Sequence, residues 1–478
     1  MKTVLMLAVA MMWNVTPLLA DEEIIVGGQA QQAVNVTIYA NNLALVKDRR
    51  TIDLPSGIRT MAFREVSARI KPETAVVQGR DLRVLEQNFE YDLLTPLSLL
   101  MKYVGREVTI RKLHPVTGEE RSVQAKVLST GSGIVLQIGN QIETEVDGRL
   151  IYPDVPDTLR DRPTLTMLVE SGSAGPRDVD LTYLTTGLSW RADYVAELNS
   201  TDDHLDLSGW VTLINESGAG YPQARLQLVA GDVNMAPQPI QVQSELERRM
   251  APLAQPAAGG MAEEAMFAYH LYSFDRPTTI GENQKKQVAL LQADGVTCRK
   301  EYVLKGRGYF FGVHDTDIEQ GLKIGVFVEL NNEKALGLGR PLPGGVVRVY
   351  KRDNSGGLQF VGEDTINHTP EKEMIKLYLG NDFDLTADRV RTDFKQLEPT
   401  DQRTDRRPSL FESAYAIRLK NAKEEAVVIK VQETIPGEWK ILSESSPHVK
   451  ESAHLASWLV AVPPKGSATL TYRVKIRN

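Results

Sequence analysis

Apolar and polar residues alternate along most of this chain with a period of two, the pattern of β-strands that bury one face. The final strand candidate carries Ala468, Leu470, Tyr472, Val474 and Ile476 on one side, with Thr, Arg and Lys residues between them. Runs of this kind are separated by Gly, Asn, Asp and Pro, which favour turns. The pattern predicts a mainly β protein with tandem β-sandwich-like domains and a few short helices.

Short apolar runs separated by tight turns are most closely spaced between residues 104 and 156. This spacing indicates a small curled sheet or barrel, so we predict an inserted β-barrel-like module at about 104–156. Just before it, Thr95 is a good N-cap residue and Pro96 suits the first helical position. A short helix is therefore predicted there, ending near Gly105.

The same patterns divide the chain into segments with different expected structures. The expected segments are a signal peptide (1–20), an N-terminal β region (21–162), a central β block (163–246), a flexible low-complexity loop or linker (247–286), a second β-sandwich segment (287–397), a linker (398–408) and a C-terminal immunoglobulin-like β region (409–478).

The first twenty residues have the order of features found in a secretory signal peptide. Lys2 supplies the positive start, residues 4–15 are mostly apolar, and Ala20 is a small residue before Asp21. The apolar run is shorter than the ~20 residues that a membrane-spanning helix needs. We therefore expect an exported protein, periplasmic or extracellular, with no transmembrane span.

Charge and cysteine content exclude some classes of protein. The 478-residue chain has a net charge of −7, and general nucleic-acid binding needs clustered cations instead. Cys298 is the only cysteine, so internal disulfides are excluded. It lies in a strand candidate, where a buried side chain is favoured over a reactive thiol.

Motifs for common catalytic sites are missing from the sequence. It contains no HExxH zinc helix, no phosphate-binding loop, no GxGxxG and no GxSxG nucleophile elbow. We therefore predict no catalytic residues and no cofactor. A catalytic pair of distant carboxylates would leave no local motif, so an enzyme of that kind stays open.

Three acidic clusters are weak candidates for a metal site. Asp315, Asp317 and Glu319 are spaced so that their oxygens could reach one Ca²⁺ ion on a turn. Similar candidates occur at residues 202–206 and 381–388. A solvated turn is acidic without any metal, and that is the favoured interpretation of all three.

Four aromatic residues are weak candidates for ligand contacts, namely Trp190, Tyr194, Trp210 and Tyr221. Trp190 and Tyr194 are four residues apart and would share one face of a strand. That face is either a ligand platform or the core, and the core is favoured because large aromatic side chains dominate core packing. Arg191 and Asp193 would pair on the opposite face as a surface ion pair.

Four stretches of the sequence together resemble a known family. They are LEQNFEYDLL (85–94), GLSWRADYVAEL (187–198), GWVTLINESGAGYPQARLQLVAGDVN (209–234) and LGRPLPGGVVRVYKRD (338–353). The chain resembles the domain-of-unknown-function 4139 family of bacterial exported proteins, related to mucoidy-inhibitor-like proteins. The resemblance implies a β-rich envelope or secreted protein of unassigned activity, and it supplies no catalytic residues.

Three functions are consistent with these observations. The leading hypothesis is a non-enzymatic binding or structural component of the bacterial envelope. The alternatives are an exported hydrolase acting on envelope polymers or glycans, and a carbohydrate-binding protein. The partner is unknown; an envelope protein or a glycan fits the expected location, whereas nucleic acid does not.

Overall fold

Strands make up most of the protein, so the predicted mainly β fold is confirmed. The computed structural model describes residues 23–90, 92–113, 118–131, 133–146, 148–156, 158–231, 262–266, 269–306, 318–397 and 410–477. By contact density the chain divides into two units. Unit 1 extends to Ser189 and adds Ile214–Leu228 and Arg276–Lys285; unit 2 takes Trp190–Leu213, Val229–Asp275 and Lys286–Asn478.

The first half of the described chain contains the strands of the N-terminal region and one α-helix. The elements are β1 (Ile24–Val26), β2 (Gln31–Tyr39), β3 (Leu43–Leu54), β4 (Gly57–Arg64), β5 (Val76–Gly79), β6 (Leu82–Glu90), α1 (Pro96–Lys102), β7 (Glu107–Leu113), β8 (Glu120–Ser129), β9 (Val135–Ile138), β10 (Gln141–Glu143), β11 (Arg149–Ile151), β12 (Thr164–Ser171) and β13 (Gly175–Thr185).

The remaining described residues are almost entirely strands. The elements are β14 (Leu188–Leu198), β15 (His204–Asn215), β16 (Tyr221–Ala230), β17 (Ala262–Met266), β18 (Tyr269–Ser273), β19 (Thr278–Ile280), β20 (Gln284–Lys305), β21 (Ile318–Asn331), β22 (Gly345–Arg352), β23 (Leu358–Ile366), β24 (Met374–Gln396), β25 (Leu410–Asn421), β26 (Val427–Thr434), β27 (Glu438–Glu444), β28 (His448–Ser452), β29 (Leu455–Val462) and β30 (Gly466–Arg477).

Unit 1 contains two larger sheets and the small inserted module. One sheet has the order β1-β4-β12-β6, and the other includes β16-β2-β3-β13-β5, with β19 paired to β16. The module has the order β10-β9-β8-β7-β11 around a core that includes Tyr103, Val108 and Leu136. Its end strands β10 and β11 are not paired with each other in the described residues, so the predicted barrel-like module is an open sheet.

The predicted helix before this module is present as α1. Thr95 is its N-cap and accepts a hydrogen bond from the Ser98 backbone N–H, while the Ser98 hydroxyl accepts one from the Thr95 N–H. Pro96 occupies the first turn, as predicted. The helix ends at Lys102, and Gly105 follows in a left-handed conformation that favours glycine.

Unit 2 is built on one long path of paired strands, in the order β23-β22-β14-β15-β20-β21-β24-β25-β30-β27. The strands β20, β21 and β24 are long enough to serve two successive cores. Their residues Leu330 and Leu377 face β14, β15 and β22 across one apolar core, whereas Leu304, Ile324 and Leu385 belong to the next. Two sandwich cores therefore share strands β21 and β24.

The second of these cores lies in the C-terminal sandwich. One of its sheets contains β21-β24-β25-β30-β27, and the other contains β20, β26, β29 and β28. Trp458 and Trp439 are buried between them with the alternating residues Leu470, Tyr472 and Val474 of β30. The alternation predicted for the last strand is confirmed by this burial.

Some predicted segments can be compared with the structure only in part. The predicted linker at 247–286 contains β17, β18 and β19, so its described part is not simply a loop. The predicted signal peptide and the linker at 398–408 lie outside the described residues, and the other boundaries stay predictions. Within the described ranges, no helix has both the length and the apolar character needed to cross a bilayer.

We predict that replacing Gly345 with Ala destabilises the protein by about 1–3 kcal/mol, the usual cost of overpacking. Strand β22 pairs with β14 in parallel, and a Cβ atom on Gly345 would lie 2.2 Å from the Ala192 carbonyl oxygen. Urea unfolding measures the loss. Gly131→Ala is the matched control, because no atom of the described residues beyond its chain neighbours lies within 4 Å of its Cβ position. Equal stability of the two variants would contradict the prediction.

Candidate functional site

Three of the four predicted aromatic candidates are buried, and two of these three lie on strand β14. Trp190 is 5% exposed and Tyr194 is fully buried, and the Tyr194 hydroxyl donates a 2.8 Å hydrogen bond to the Pro343 carbonyl. Tyr221 is also buried, in unit 1, where its hydroxyl lies 3.0 Å from the Ser217 hydroxyl. These three side chains belong to the protein interior.

The space around Tyr194 is too small and too apolar for a ligand. It encloses about 10 Å³ for the centre of a water molecule, which is room for one water at most. Its lining comes from both layers of the first sandwich and includes Leu207, Leu330, Val347 and Leu377. The inner face of β14 is therefore packed core.

The outer face of β14 carries a carboxylate fixed by three donors. Asp193 accepts hydrogen bonds from the Thr212 hydroxyl at 2.7 Å, Arg348 Nη1 at 3.1 Å and Arg191 Nε at 3.2 Å. The predicted Arg191–Asp193 pair is present, but Asp193 is buried and not a surface residue. Burial alone would raise the pKa of Asp193. Hydrogen bonds from Thr212 and Arg348 and the charge of Arg191 outweigh this effect, so the pKa of Asp193 is lowered.

Aromatic side chains lie on the same side of this sheet. Trp210 is two residues from Thr212 on β15, so it shares the face on which Thr212 reaches Asp193. On β22 and β23, the rings of Tyr350 and Phe360 meet edge to face with centroids 5.5 Å apart, and Phe360 is 55% exposed. Trp210 is partly exposed.

We call this surface the outer face and define it by residues from four neighbouring strands. Its members are Arg191, Asp193 and Glu197 of β14, Trp210 and Thr212 of β15, Arg348, Tyr350 and Arg352 of β22, and Phe360 and Glu363 of β23. Arg348 Nε lies 3.2 Å from Glu363, and Arg352 Nε lies 2.6 Å from Glu197. Aromatic rings thus flank a network of paired charges.

The dimensions of the outer face follow from strand geometry. Backbone hydrogen bonds from the Asn199 N–H to the His204 carbonyl and from the Glu216 N–H to the Gly187 carbonyl set the register of β14 and β15, which puts Trp210 opposite Asp193. Asp193 is paired with Val346, and Tyr350 lies four residues further along β22. Four residues of strand and two strand spacings separate Trp210 from Tyr350 by roughly 16 Å. The face could therefore contact several units of an extended chain.

Local sequence patterns indicate only part of this face. Trp210 was a candidate, and Arg191 and Asp193 were placed together. Arg348 and Tyr350 were not candidates, although alternation along GGVVRVYKR puts them on one face. The missing information is the parallel pairing of β14 with β22, which joins residues about 150 positions apart and has no local signal.

The predicted metal candidates are placed as follows. Asp315 and Asp317 lie outside the described residues, and Glu319 contacts Arg389 Nη1 at 3.1 Å. Three carboxylates form salt bridges with lysines: Asp202 with Lys300 and Lys351, Asp382 with Lys423, and Asp388 with Lys420. The Asp203 carboxylate contacts the side chains of Asn199, Thr201 and His204. Among described residues, no three His, Cys, Asp or Glu side chains are grouped to hold a metal ion.

Cys298, the single cysteine, is buried. Burial raises the pKa of its thiol to about 11, and the nearby Asp202 and Asp203 act in the same direction. A thiol with a raised pKa is mostly protonated at neutral pH and is a poor nucleophile.

A buried ion pair lies in the C-terminal sandwich. Glu433 of β26 points into the core with no exposed surface, and its carboxylate accepts from Arg389 of β24. Its other oxygen has no hydrogen-bond partner in the described part of the chain. Gly306 fits against this carboxylate, because a Cβ atom there would lie 2.3 Å from Glu433 Oε2. Both side chains of the pair are closed to solvent, at 1% and 0% exposure.

We predict that stability falls as pH rises from about 5 to 7 because of Glu433. Burial raises the pKa of its carboxyl to about 7, against the partly offsetting charge of Arg389. The folded state therefore binds more protons than the unfolded state over this range, and up to about 3 kcal/mol of stabilisation is lost as pH rises through 7. Urea unfolding from pH 5 to 8 measures the slope.

Glu433→Gln should flatten this slope, because the amide does not titrate. Glu438→Gln, at an exposed position on β27, the next strand along the chain, is the control and should keep the wild-type slope. The prediction fails if Glu433→Gln and the wild type lose stability in parallel between pH 5 and 7.

The fold and the outer face define a mainly β protein of successive sheets with one mixed aromatic and charged surface. The family model for a domain of unknown function, DUF4139, matches residues 179–478. The chain therefore belongs to the DUF4139 family, as its sequence motifs predicted, and its relation to mucoidy-inhibitor-like proteins stays a prediction. No curated protein matches this chain.

Proposed function

We propose that this protein is an exported, non-enzymatic binding or structural component of the bacterial envelope, which acts through the outer face. The observation that carries this proposal is the mixed surface itself, where partly exposed Trp210 and exposed Phe360 flank the fixed Arg191–Asp193–Arg348 network. Held in place by its own ion pairs, such a surface is preorganised for binding.

The arrangement of charges favours binding over catalysis on this face. Acid–base catalysis needs carboxylates that can exchange protons with a substrate. Here Asp193, Glu363 and Glu197 each lie within 3.2 Å of an arginine nitrogen. The hydrolase alternative therefore gains no support from the outer face.

Export is supported by the first twenty residues, whose order of positive, apolar and small residues is typical of a signal peptide. Fractionation of cells expressing the tagged full chain tests it, with the mass of the product as a second readout. The wild type is expected outside the cytoplasm and shortened at its N-terminus. Leu7→Arg should keep the chain in the cytoplasm and uncleaved, whereas Leu7→Ile should be exported and cleaved like the wild type. Unprocessed wild type in the cytoplasm would overturn the proposal.

A further inference from the structure

The ends of the outer face offer aromatic surfaces of the kind that stack on sugars. The hexopyranose ring presents a patch of C–H groups that packs against an aromatic face, while its hydroxyls stay available for hydrogen bonds. Phe360 is more than half exposed, with Tyr350 beside it, and Trp210 is partly exposed at the other end. Amphipathic aromatic groups suit a ligand that is itself part apolar and part polar.

The middle of the outer face supplies hydrogen-bond donors in fixed positions. The Arg191 side chain is 54% exposed and uses Nε to reach Asp193, so this bond does not use its two terminal nitrogens. Arg348 is held from two sides, by Asp193 and Glu363. A guanidinium group donates in a rigid fork, which matches two neighbouring hydroxyls or a carboxylate.

This order of groups favours a sugar chain over a protein partner. Protein interfaces have an apolar, uncharged centre and a polar rim. The outer face has the opposite order, because charged residues occupy its centre and aromatic rings lie at its ends. Its length of roughly 16 Å, from strand spacing, fits an extended oligomer with ring contacts at both ends and hydroxyl contacts between them.

We propose that the outer face binds a chain of hexopyranose sugars, with Trp210 and the Tyr350–Phe360 pair stacking on separate rings and Arg191 and Arg348 donating to the hydroxyl or carboxylate groups between. This inference rests on the proposed function and specifies its ligand. Neutral and acidic glycans present the same ring faces. The neutral and uronic-acid probes of the following test distinguish between them.

The test is calorimetric titration of the mature protein with three probes: a neutral hexose hexamer, an N-acetylhexosamine hexamer and a uronic-acid hexamer. At least one is expected to bind. Trp210→Ala and Phe360→Ala should each weaken that binding about tenfold or more, as loss of an anchoring aromatic does. Phe383→Ala is the matched control, because Phe383 is 93% exposed on β24 and is not part of the outer face.

Arg191→Gln is a second variant, which changes an exposed side chain and leaves the aromatic residues intact. It should weaken binding of the uronic-acid probe more than binding of the other two. Absence of binding to all three probes overturns the inference, as does binding that the outer-face variants leave unchanged. Cross-linking of an envelope protein to this face in place of a glycan would also overturn it. The fractionation experiment tests export separately, so a failure of the glycan inference can be distinguished from a failure of the proposed export.

Discussion

Replacing Arg389 with Ala is expected to lower the free energy of unfolding by about 3–5 kcal/mol at pH 8, the usual loss when one partner of a buried ion pair is removed. The variant would leave the Glu433 carboxylate in the core of the C-terminal sandwich without its cation. Glu319 would lose the same partner. Urea unfolding measures the change.

The loss should shrink at pH 5, because a protonated Glu433 needs no cation. Arg473→Ala is the matched control, since Arg473 pairs with Asp393 at the surface of the same sandwich, and exposed pairs contribute little. A double change, Arg389→Met with Glu433→Leu, should recover most of the stability. Equal losses for Arg389→Ala and Arg473→Ala would show that the buried pair has no special role.

Trp190→Ala is expected to destabilise the protein by about 3–5 kcal/mol, the range for truncating a buried aromatic side chain. Its ring is almost fully buried, and its indole N–H has no hydrogen-bond partner in the described residues. Packing is therefore what this residue contributes. The loss is large compared with the ~5–15 kcal/mol that stabilises a typical domain.

Trp210→Ala is the comparison for this prediction. Trp210 is partly exposed on the opposite side of the sheet, so its removal should cost much less stability while affecting ligand binding. Chemical denaturation of both variants under the same conditions gives the two values. If Trp190→Ala unfolds like the wild type, the inner face of β14 is not the core.

Local patterns in the sequence predicted the parts of the fold that depend on near neighbours. The alternation in β30 identified its buried residues. Residues 353–357 contain the Asn and Gly that favour turns, and there the Asp353 side chain accepts from the Ser355 and Gly357 N–H groups. Thr95 and Pro96 predicted the start of α1. In each case the determining contacts lie within a few residues.

Contacts between distant strands could not be predicted in this way. The outer face needs β14 beside β22, and the buried pair needs β24 opposite β26. Glu433 occupies an inward position of an alternating strand, where sequence patterns predict an apolar residue. Its partner is 44 residues away, so nothing nearby indicates the pairing.

A repeated role of asparagine also became visible only in the structure. Asn215, Asn332 and Asn421 each lie at or just after the end of a strand, and each is buried. Their side-chain N–H groups donate to carbonyls of Ala219 and Gly281, of Arg340 and Pro370, and of Glu425 and Pro463, respectively.

Strand β14 and its neighbours have one packed face and one exposed face. Hydroxyl-radical footprinting of the native protein, with mass spectrometry of the peptides, tests it most directly. Trp210 and Phe360 should be oxidised several-fold faster than Trp190 and Tyr194, with Phe383 as an exposed reference. Oxidation of Trp190 at the rate of Trp210 would contradict the claim.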